Sequence, residues 1–215
     1  AVEKPSYTYA TGSSAVSLTV SFSLDMSTLP KSPFTDVVAG SWYFDAALYA
    51  SSHNLMLGTS PTEFSPNITM TRGMLVTVLY RMNGSPSVSG KTPFTDVRTD
   101  EWYSAAVLWA YQNGIVTGMS DTTFAPINNV TREQMATILF RYTKTAAPDK
   151  AKASADLSGF ADAGSVNDWA VDAMRWAVGQ KLIAGITLEQ SVYLQPRGNA
   201  TRAQAATVLT RYYAQ

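Results

Sequence analysis

Three arginines recur in the same local context, each directly after a threonine: Arg72, Arg132 and Arg202. Each Thr-Arg pair opens a stretch of helical periodicity, and a helix N-terminus is electrostatically unfavourable for a cation. Its recurrence in three places therefore indicates a use, either an internal ion pair or a bound anion. Because a guanidinium matches a carboxylate with two parallel hydrogen bonds, and free amides at a helix start also attract anions, we favour the anionic ligand.

Three further residue types recur around these arginines: Asp36, Asp96 and Asp162; Trp42, Trp102 and Trp169; and Gly58, Gly118 and Gly185. A tryptophan offers an apolar platform for a sugar ring, and an aspartate accepts hydrogen bonds from hydroxyls. A glycine lets a ligand approach the backbone closely. The alternatives are structural: Trp in the core, Asp capping the helix or turn that follows, and Gly ending a helix. Trp109 and Trp176, in mid-helix, are expected in the core.

The rest of the composition excludes several classes of function. Lys plus Arg and Asp plus Glu are both 16, which argues against nucleic-acid binding, and the absence of cysteine excludes disulfides and thiolate metal sites. We expect no metal, no cofactor and no membrane span, and interpret His53 as a surface residue. The start lacks the features of a signal peptide, so an exported protein would be represented by a mature fragment.

The chain is a tandem repeat. Phe-x-Asp, Trp, Gly, a loop ending in Pro, and Thr-Arg occur in this order three times, which predicts three homologous modules of about 50 residues. The third has one extra residue before its Trp and three more between Gly and Pro, as loops tolerate. We place the modules at residues 33–82, 93–142 and 159–213. Residues 1–32 form a separate N-terminal extended segment or the tail of an upstream domain. Within this segment, apolar and polar residues alternate over 15–25, which predicts a strand whose partner in this chain would be residues 6–10.

Each module is predicted to be a helix, a loop and a second helix. The first helices are expected over 42–54, 102–113 and 169–181, and the second begin at the Thr-Arg pairs. Thr is the expected N-cap; Gln134 and Gln204 complete capping boxes, whereas Met74 leaves the first module half of one. One module is too small to bury its own apolar stripe, so the three should share a core. The stripe consists of Leu75, Val78, Leu79, Met82, Met135, Ile138, Leu139, Tyr142, Ala205, Val208, Leu209 and Tyr212.

The pattern F-x-D-V, W-Y, G, F-x-P and T-R, three times over residues 34–213, resembles the surface-layer homology (SLH) domain of bacterial cell-surface proteins. The resemblance implies a mainly α fold, a pseudo-threefold prism around a central three-helix bundle. It also implies grooves between repeats that bind a secondary cell-wall polysaccharide, often carrying a pyruvate ketal on N-acetylmannosamine, and so hold a protein on the cell wall. The repeated Asp, Trp, Gly and Arg residues would then line these grooves. Ala170 replaces the tyrosine after Trp42 and Trp102, so we expect the groove that uses repeat three to bind less well.

Two other classes of function are open. An enzyme acting on wall glycan would need two carboxylates in a cleft, and the acidic residues suggest no such pair, so we expect no enzyme. A surface-layer lattice or protein-interaction scaffold fits a helical repeat array, and self-association is compatible with wall binding. A lattice contact does not need the same arginine in every repeat, whereas an anionic sugar site does. The sequence therefore favours an anchor at the cell surface.

Overall fold

The computed structural model describes residues 7–11, 14–18, 32–152 and 154–214, and it divides the chain into two compact units, Ala1–Lys31 and Ser32–Gln215. The first unit contains an antiparallel hairpin of β1 (Tyr7–Thr11) and β2 (Ser14–Leu18). The first part of the strand predicted over 15–25 is thus present as β2. Its partner β1 covers residues 7–11, one residue later than the predicted 6–10. Residues 19–25 lie outside the described residues.

The second unit is mainly helical, with two α-helices in each repeat. They are α1 (Phe44–Ser52), α2 (Arg72–Met82), α3 (Ser104–Gln112), α4 (Arg132–Ala146), α5 (Val171–Gly179) and α6 (Arg202–Tyr213). In the third repeat a small antiparallel hairpin, β3 (Ile186–Leu188) and β4 (Ser191–Tyr193), occupies the place of the extra residues before Pro196. The insertion therefore forms a hairpin that extends the loop and leaves the helices unchanged.

The first helix of each repeat begins two residues later than we predicted. Trp42 and Trp102 lie in turns before α1 and α3, and Trp169 lies in a short 3₁₀ segment, Asp168–Ala170, before α5. The residues at the N-cap positions of these helices form no side-chain cap, so no local signal in the sequence marks the true start. The three tryptophans are consequently outside the helices.

The second helices begin where the sequence predicted. The hydroxyl oxygens of Thr71, Thr131 and Thr201 each accept a hydrogen bond from the amide three residues later. Complete capping boxes occur in α4 and α6, and α2 has only the threonine half, as its Met74 predicted. The predicted stripe faces one core shared by all three repeats, and Trp109 and Trp176 are buried in it. These predictions are confirmed.

The helices pair in a cycle. The first helix of each repeat packs against the second helix of the preceding repeat: α3 on α2, α5 on α4, and α1 on α6. The last pair joins the first repeat to the third, so the array closes on itself. The predicted prism around a central three-helix bundle stays a prediction, and this cyclic pairing supports it.

A ring of backbone hydrogen bonds closes the same cycle. The Met70 amide donates to the Ala200 carbonyl at 2.8 Å, the Ala200 amide to Val130 at 2.9 Å, and the Val130 amide to Met70 at 2.9 Å. The backbone amides at the start of the second helices also donate hydrogen bonds to the neighbouring repeat. The Arg72 amide, for example, donates to the Asn128 carbonyl of the next repeat at 2.9 Å. Our expectation of free amides for an anion at these helix ends was wrong, because the neighbouring repeat supplies their acceptors.

Within the described ranges, no helix combines the length and the apolar character that crossing a membrane would require.

Candidate functional site

The three Thr-Arg arginines are buried and connect neighbouring repeats. Nε of Arg72 donates to the carbonyl oxygen of Phe124 at 2.9 Å, Nε of Arg132 to that of Leu194 at 2.7 Å, and Nε of Arg202 to that of Phe64 at 2.8 Å. The guanidinium carbon of Arg72 lies 4.7 Å from the ring centre of Phe124, a cation–π contact. Each arginine therefore bonds to a carbonyl of the following repeat, and none of the three forms an ion pair with another described residue.

Burial leaves these charges poorly solvated. It lowers the pKa of Arg72 to about 10, an effect that Asp96 opposes and the nearby cation Arg141 reinforces. Burial likewise lowers the pKa of Arg132 and of Arg202, and in both cases an aspartate of the next repeat opposes the shift. With a pKa of about 10, Arg72 remains protonated at neutral pH. A bound anion would stabilise the charged form of each and raise its pKa.

The three aspartates shape the loop that receives each arginine. Oδ1 of Asp36 accepts from the Phe64 amide at 2.8 Å and Oδ2 accepts from the Ser65 amide at 2.7 Å. Asp96 and Asp162 hold the equivalent loops in the same way. Ser65 has a positive φ of 56°, an unfavourable backbone that two charge-assisted hydrogen bonds help to stabilise. The turn-capping alternative thus accounts for these residues, and their contact with a ligand stays a prediction.

The three glycines allow a close contact inside the protein. A Cβ atom at Gly118 would lie 2.5 Å from a ring carbon of Phe94, and one at Gly185 would lie 2.9 Å from a ring carbon of Phe160. Gly58 is crowded in the same way, and Gly118 and Gly185 also have a φ of +81°. The glycine loop can therefore pack on the phenylalanine of its own repeat only without a side chain.

The three tryptophans before the first helices are exposed. Their exposed fractions are 66% for Trp42, 59% for Trp102 and 53% for Trp169. The alternative that they belong to the core is therefore wrong, since an indole that only stabilised the fold would be buried. Three large apolar surfaces in contact with water mark positions where a ligand can stack.

The first groove combines residues from all three repeats. It has a volume of about 340 Å³ and brings together Arg72 of repeat one, Gly118, Gln134 and Arg141 of repeat two, and Trp169 of repeat three. The Oε1 atom of Gln134 is used by the capping box, so its amide nitrogen is the atom available to a ligand. The groove thus offers a buried cation, a second cation and an aromatic surface.

The second groove repeats this arrangement one step around the cycle. Its volume is about 490 Å³, and its lining includes Arg132 of repeat two, Gly185, Gln204 and Arg211 of repeat three, and Trp42 of repeat one. The structure therefore brings the predicted Arg, Gly and Trp residues together, always from three different repeats. Both grooves contain residues of the third repeat, and the weaker binding expected for the groove that uses repeat three stays a prediction.

The third position around the cycle would combine Arg202, Gly58 and Trp102, and it differs in chemistry. Nη2 of Arg202 donates to the carbonyl oxygen of Leu57 at 2.7 Å. Among the described residues, the Nη atoms of Arg72 and Arg132 have no such partner. Met74 stands where the other grooves have a glutamine. A guanidinium already bonded to a carbonyl, beside an apolar neighbour, is less able to bind an anion.

Sequence reasoning missed the second arginine of each groove. The helix dipole favours cations towards the C-terminal ends of helices such as α4 and α6, which gives Arg141 and Arg211 a structural explanation, but both also line grooves. Their remaining contacts are a 3.4 Å hydrogen bond from Arg141 to the Thr117 hydroxyl and a 3.1 Å bond from Arg211 to the Leu182 carbonyl. Their recurrence at one repeat position was the signal that would have identified them.

Comparison with known proteins agrees with this architecture. The family model described as S-layer homology domain matches residues 33–73, 93–136 and 159–206. The chain belongs to the S-layer homology domain family. The matched ranges fall inside the predicted modules, whose full limits stay predictions. As an SLH module the chain serves in anchoring at the bacterial cell surface, and its fold is mainly helical with three SLH repeats.

The relatives of this SLH chain are much longer proteins. It is 34% identical over 178 residues to an endoglucanase of Bacillus sp. (strain KSM-635), covering 83% of this chain and 18% of the relative. It is 28% identical over 176 residues to an amylopullulanase of Thermoanaerobacterium thermosulfurigenes, with coverage of 82% and 9%. It is 32% identical over 154 residues to the surface-layer 125 kDa protein of Lysinibacillus sphaericus, with coverage of 72% and 12%. The chain thus spans less than a fifth of each, and the SLH module itself is non-catalytic.

Proposed function

We propose that this chain holds its parent protein non-covalently on the cell wall by binding an anionic, pyruvylated secondary cell-wall polysaccharide in its inter-repeat grooves. One observation carries the proposal: two grooves each join a buried arginine, a second arginine and an exposed tryptophan from different repeats. Nothing in the helical fold itself requires this combination, and a charged sugar matches each part of it.

The anionic part of the ligand is assigned to the arginines. A ketal-linked pyruvate presents a carboxylate, and the Nη atoms of Arg72 or Arg132 offer two parallel donors to it. Arg141 or Arg211 adds a second positive charge at the same groove. Neither groove has an acidic residue among its described lining residues. An anion would therefore offset the cost of burying Arg72 and Arg132 and, in the first groove, the repulsion between Arg72 and Arg141.

The sugar part of the ligand is assigned to the tryptophan and its surroundings. A sugar ring has an apolar face that stacks on an indole and hydroxyls that need polar partners. Trp169 and Trp42 supply the face in the first and second grooves, and the amide groups of Gln134 and Gln204 supply polar contacts. The predicted Asp and Gly residues act in this proposal by shaping the loops that form the grooves.

Two grooves are assigned to the ligand. In the part of the chain that the structure describes, the Nη atoms of Arg72 and Arg132 have no hydrogen-bond acceptor, whereas the Leu57 carbonyl accepts from Nη2 of Arg202. Two weak sites on one module would also strengthen attachment to a polymer that carries many acidic sugars, because the second binding event is intramolecular.

The test is calorimetric titration with a short glycan that has one pyruvylated end, beside the same glycan with the ketal removed. Trp42→Ala and Trp169→Ala should each lower the number of bound glycans from two to one, and together they should abolish binding. Trp102→Ala is the matched control and should leave the number unchanged. All three side chains are exposed, so the fold should survive each change.

The second arginines give an independent arm of the same test. Arg141→Ala should weaken binding at the first groove about tenfold, the loss of one charge-assisted hydrogen bond, and Arg81→Ala, its counterpart in repeat one, should not. Equal affinity for the glycan without its ketal would contradict the anionic ligand. If the intact glycan does not bind and the protein self-associates in sedimentation, the lattice scaffold replaces the anchor, a role that the surface-layer relative favours.

A further inference from the structure

Among the described residues, Trp169 has no aromatic neighbour of the kind that Trp42 and Trp102 have. The Tyr43 ring lies 5.3 Å from Trp42 in an edge contact, and the Tyr103 ring lies 5.1 Å from Trp102 in the same way. The residue after Trp169 is Ala170, whose methyl group cannot make this contact. An exposed indole without a neighbour would sample several rotamers, and ordering it on binding would cost conformational entropy.

A buried glutamate lies beside the 3₁₀ segment Asp168–Ala170, which contains Trp169. Glu133, the second residue of α4, is 3% exposed, and its carboxylate accepts two hydrogen bonds from one residue of the third repeat. Oε2 accepts from the backbone amide of Asn167 at 3.1 Å, and Oε1 accepts from its Nδ2 at 2.6 Å. The Oδ1 atom of Asn167 in turn accepts from Nη2 of Arg197 at 3.3 Å. Every polar group of the Asn167 side chain is therefore occupied.

Glu133 has no counterpart in the other repeats. The equivalent positions hold Gly73 and Ala203. A Cβ atom at Gly73 would lie 3.0 Å from the Pro126 carbonyl oxygen and in ordinary contact, 3.4 Å, with the ring of Tyr103, so this position faces the tyrosine that contacts Trp102. Where the tyrosine is replaced by Ala170, the small residue is replaced by Glu133. The two departures from the repeat pattern therefore occur at facing positions.

We propose that Glu133 is a positioning residue for the first groove: by holding Asn167 it orders the 3₁₀ segment that presents Trp169, in place of the missing tyrosine. Asn167 occupies the N-cap position of that segment, two residues before the indole. Two hydrogen bonds to a buried carboxylate hold this backbone firmly. The proposal deepens the proposed function and rests on it for its effect on binding.

The binding test uses single-groove backgrounds. In Trp42→Ala protein only the groove with Trp169 remains, and adding Glu133→Ala should weaken binding of the pyruvylated glycan about tenfold, or about 1.4 kcal/mol. In Trp169→Ala protein only the groove with Arg132 remains, and the same substitution should leave affinity unchanged. Glu133→Gln, which keeps one acceptor oxygen for Asn167, should give an intermediate loss in the first background. Equal losses in both backgrounds, or none in the first, would overturn the proposal.

A second measurement needs no ligand. The chain has five tryptophans, so 5-fluorotryptophan labelling gives five fluorine resonances, and Trp169→Phe assigns the one of interest. Glu133→Ala and Asn167→Ala should each shift or broaden the Trp169 signal and leave that of Trp42 unchanged. An unchanged Trp169 signal in folded protein, with its urea midpoint measured alongside, refutes the positioning role. Because this readout is independent of glycan, failure of the anchor proposal and failure of the positioning proposal are distinguishable.

Discussion

The guanidinium of each Thr-Arg pair uses its nitrogen atoms differently. Its Nε atom bonds to a carbonyl of the next repeat, which explains why it is buried at a helix start where a cation is unfavourable. In Arg72 and Arg132 the Nη atoms stay available to the groove, whereas in Arg202 one is bonded to Leu57. In the proposed function, one arginine side chain is therefore structural through its Nε atom and binds the ligand through its Nη atoms.

At this scale we predict that Arg72→Ala lowers the free energy of unfolding by about 2–3 kcal/mol, because it leaves the Phe124 carbonyl without its charged donor. Arg202→Ala should lower it further, since two carbonyls lose their donor. Urea denaturation followed by circular dichroism measures both.

Arg98→Ala is the control for that series. Arg98 forms an exposed ion pair with Asp100, and such pairs contribute little to stability, so its urea midpoint should not change. If Arg72→Ala unfolded at the same urea concentration as this control, the bond between repeats would have no stabilising effect.

The two helices of each repeat differ in how strongly local sequence defines them. The second helices have threonine N-caps and an apolar stripe, and their starts were predicted correctly. The first helices lack side-chain caps, and their starts were predicted two residues early. That error matters for function, because it placed inside a helix the three tryptophans that the structure places in exposed turns.

The half-formed cap of α2 gives a prediction at this scale. Met74→Gln should complete the capping box and raise the free energy of unfolding by about 0.5 kcal/mol, after the loss of some methionine packing. Gln134→Met in α4 should lower it by about 1 kcal/mol, because the Thr131 amide loses its acceptor. Thermal and urea unfolding of both variants measure these changes in the free energy of unfolding. A change of the same sign in both variants would contradict the capping explanation.

The repeats form a closed cycle, so none is terminal. Linear repeat arrays end in repeats with one uncovered face and often unfold from their ends. Here α1 of the first repeat packs on α6 of the third, and the ring of Met70, Val130 and Ala200 closes the backbone contacts. The two grooves also depend on closure, because each joins the first repeat to the third: Arg72 with Trp169 in the first groove, and Trp42 with Gly185 in the second.

For the whole molecule we predict that a fragment of residues 32–146 does not fold cooperatively. Without the third repeat, the apolar faces of α1 and α4 lose their partners, α6 and α5, and would be exposed to water. Near-ultraviolet circular dichroism measures the loss of fixed aromatic packing in this fragment, and thermal melting measures the loss of cooperative unfolding. Adding a fragment of residues 154–214 should restore both signals, and a sharp melting transition of the shorter fragment alone would show that closure is not required.

From the sequence we predicted the three repeats, the second helices with their caps and the core positions of Trp109 and Trp176, and we selected six residues that line the two grooves: Arg72, Arg132, Trp42, Trp169, Gly118 and Gly185. These follow from local periodicity, capping chemistry and recurrence. Tertiary structure alone decided that each groove takes these residues from three repeats, that Arg141 and Arg211 join them, and that Glu133 supports the segment of Trp169. The physical reason is that such contacts join residues far apart in sequence, as in the 34 positions between Glu133 and Asn167, and only packing of the closed cycle brings them together.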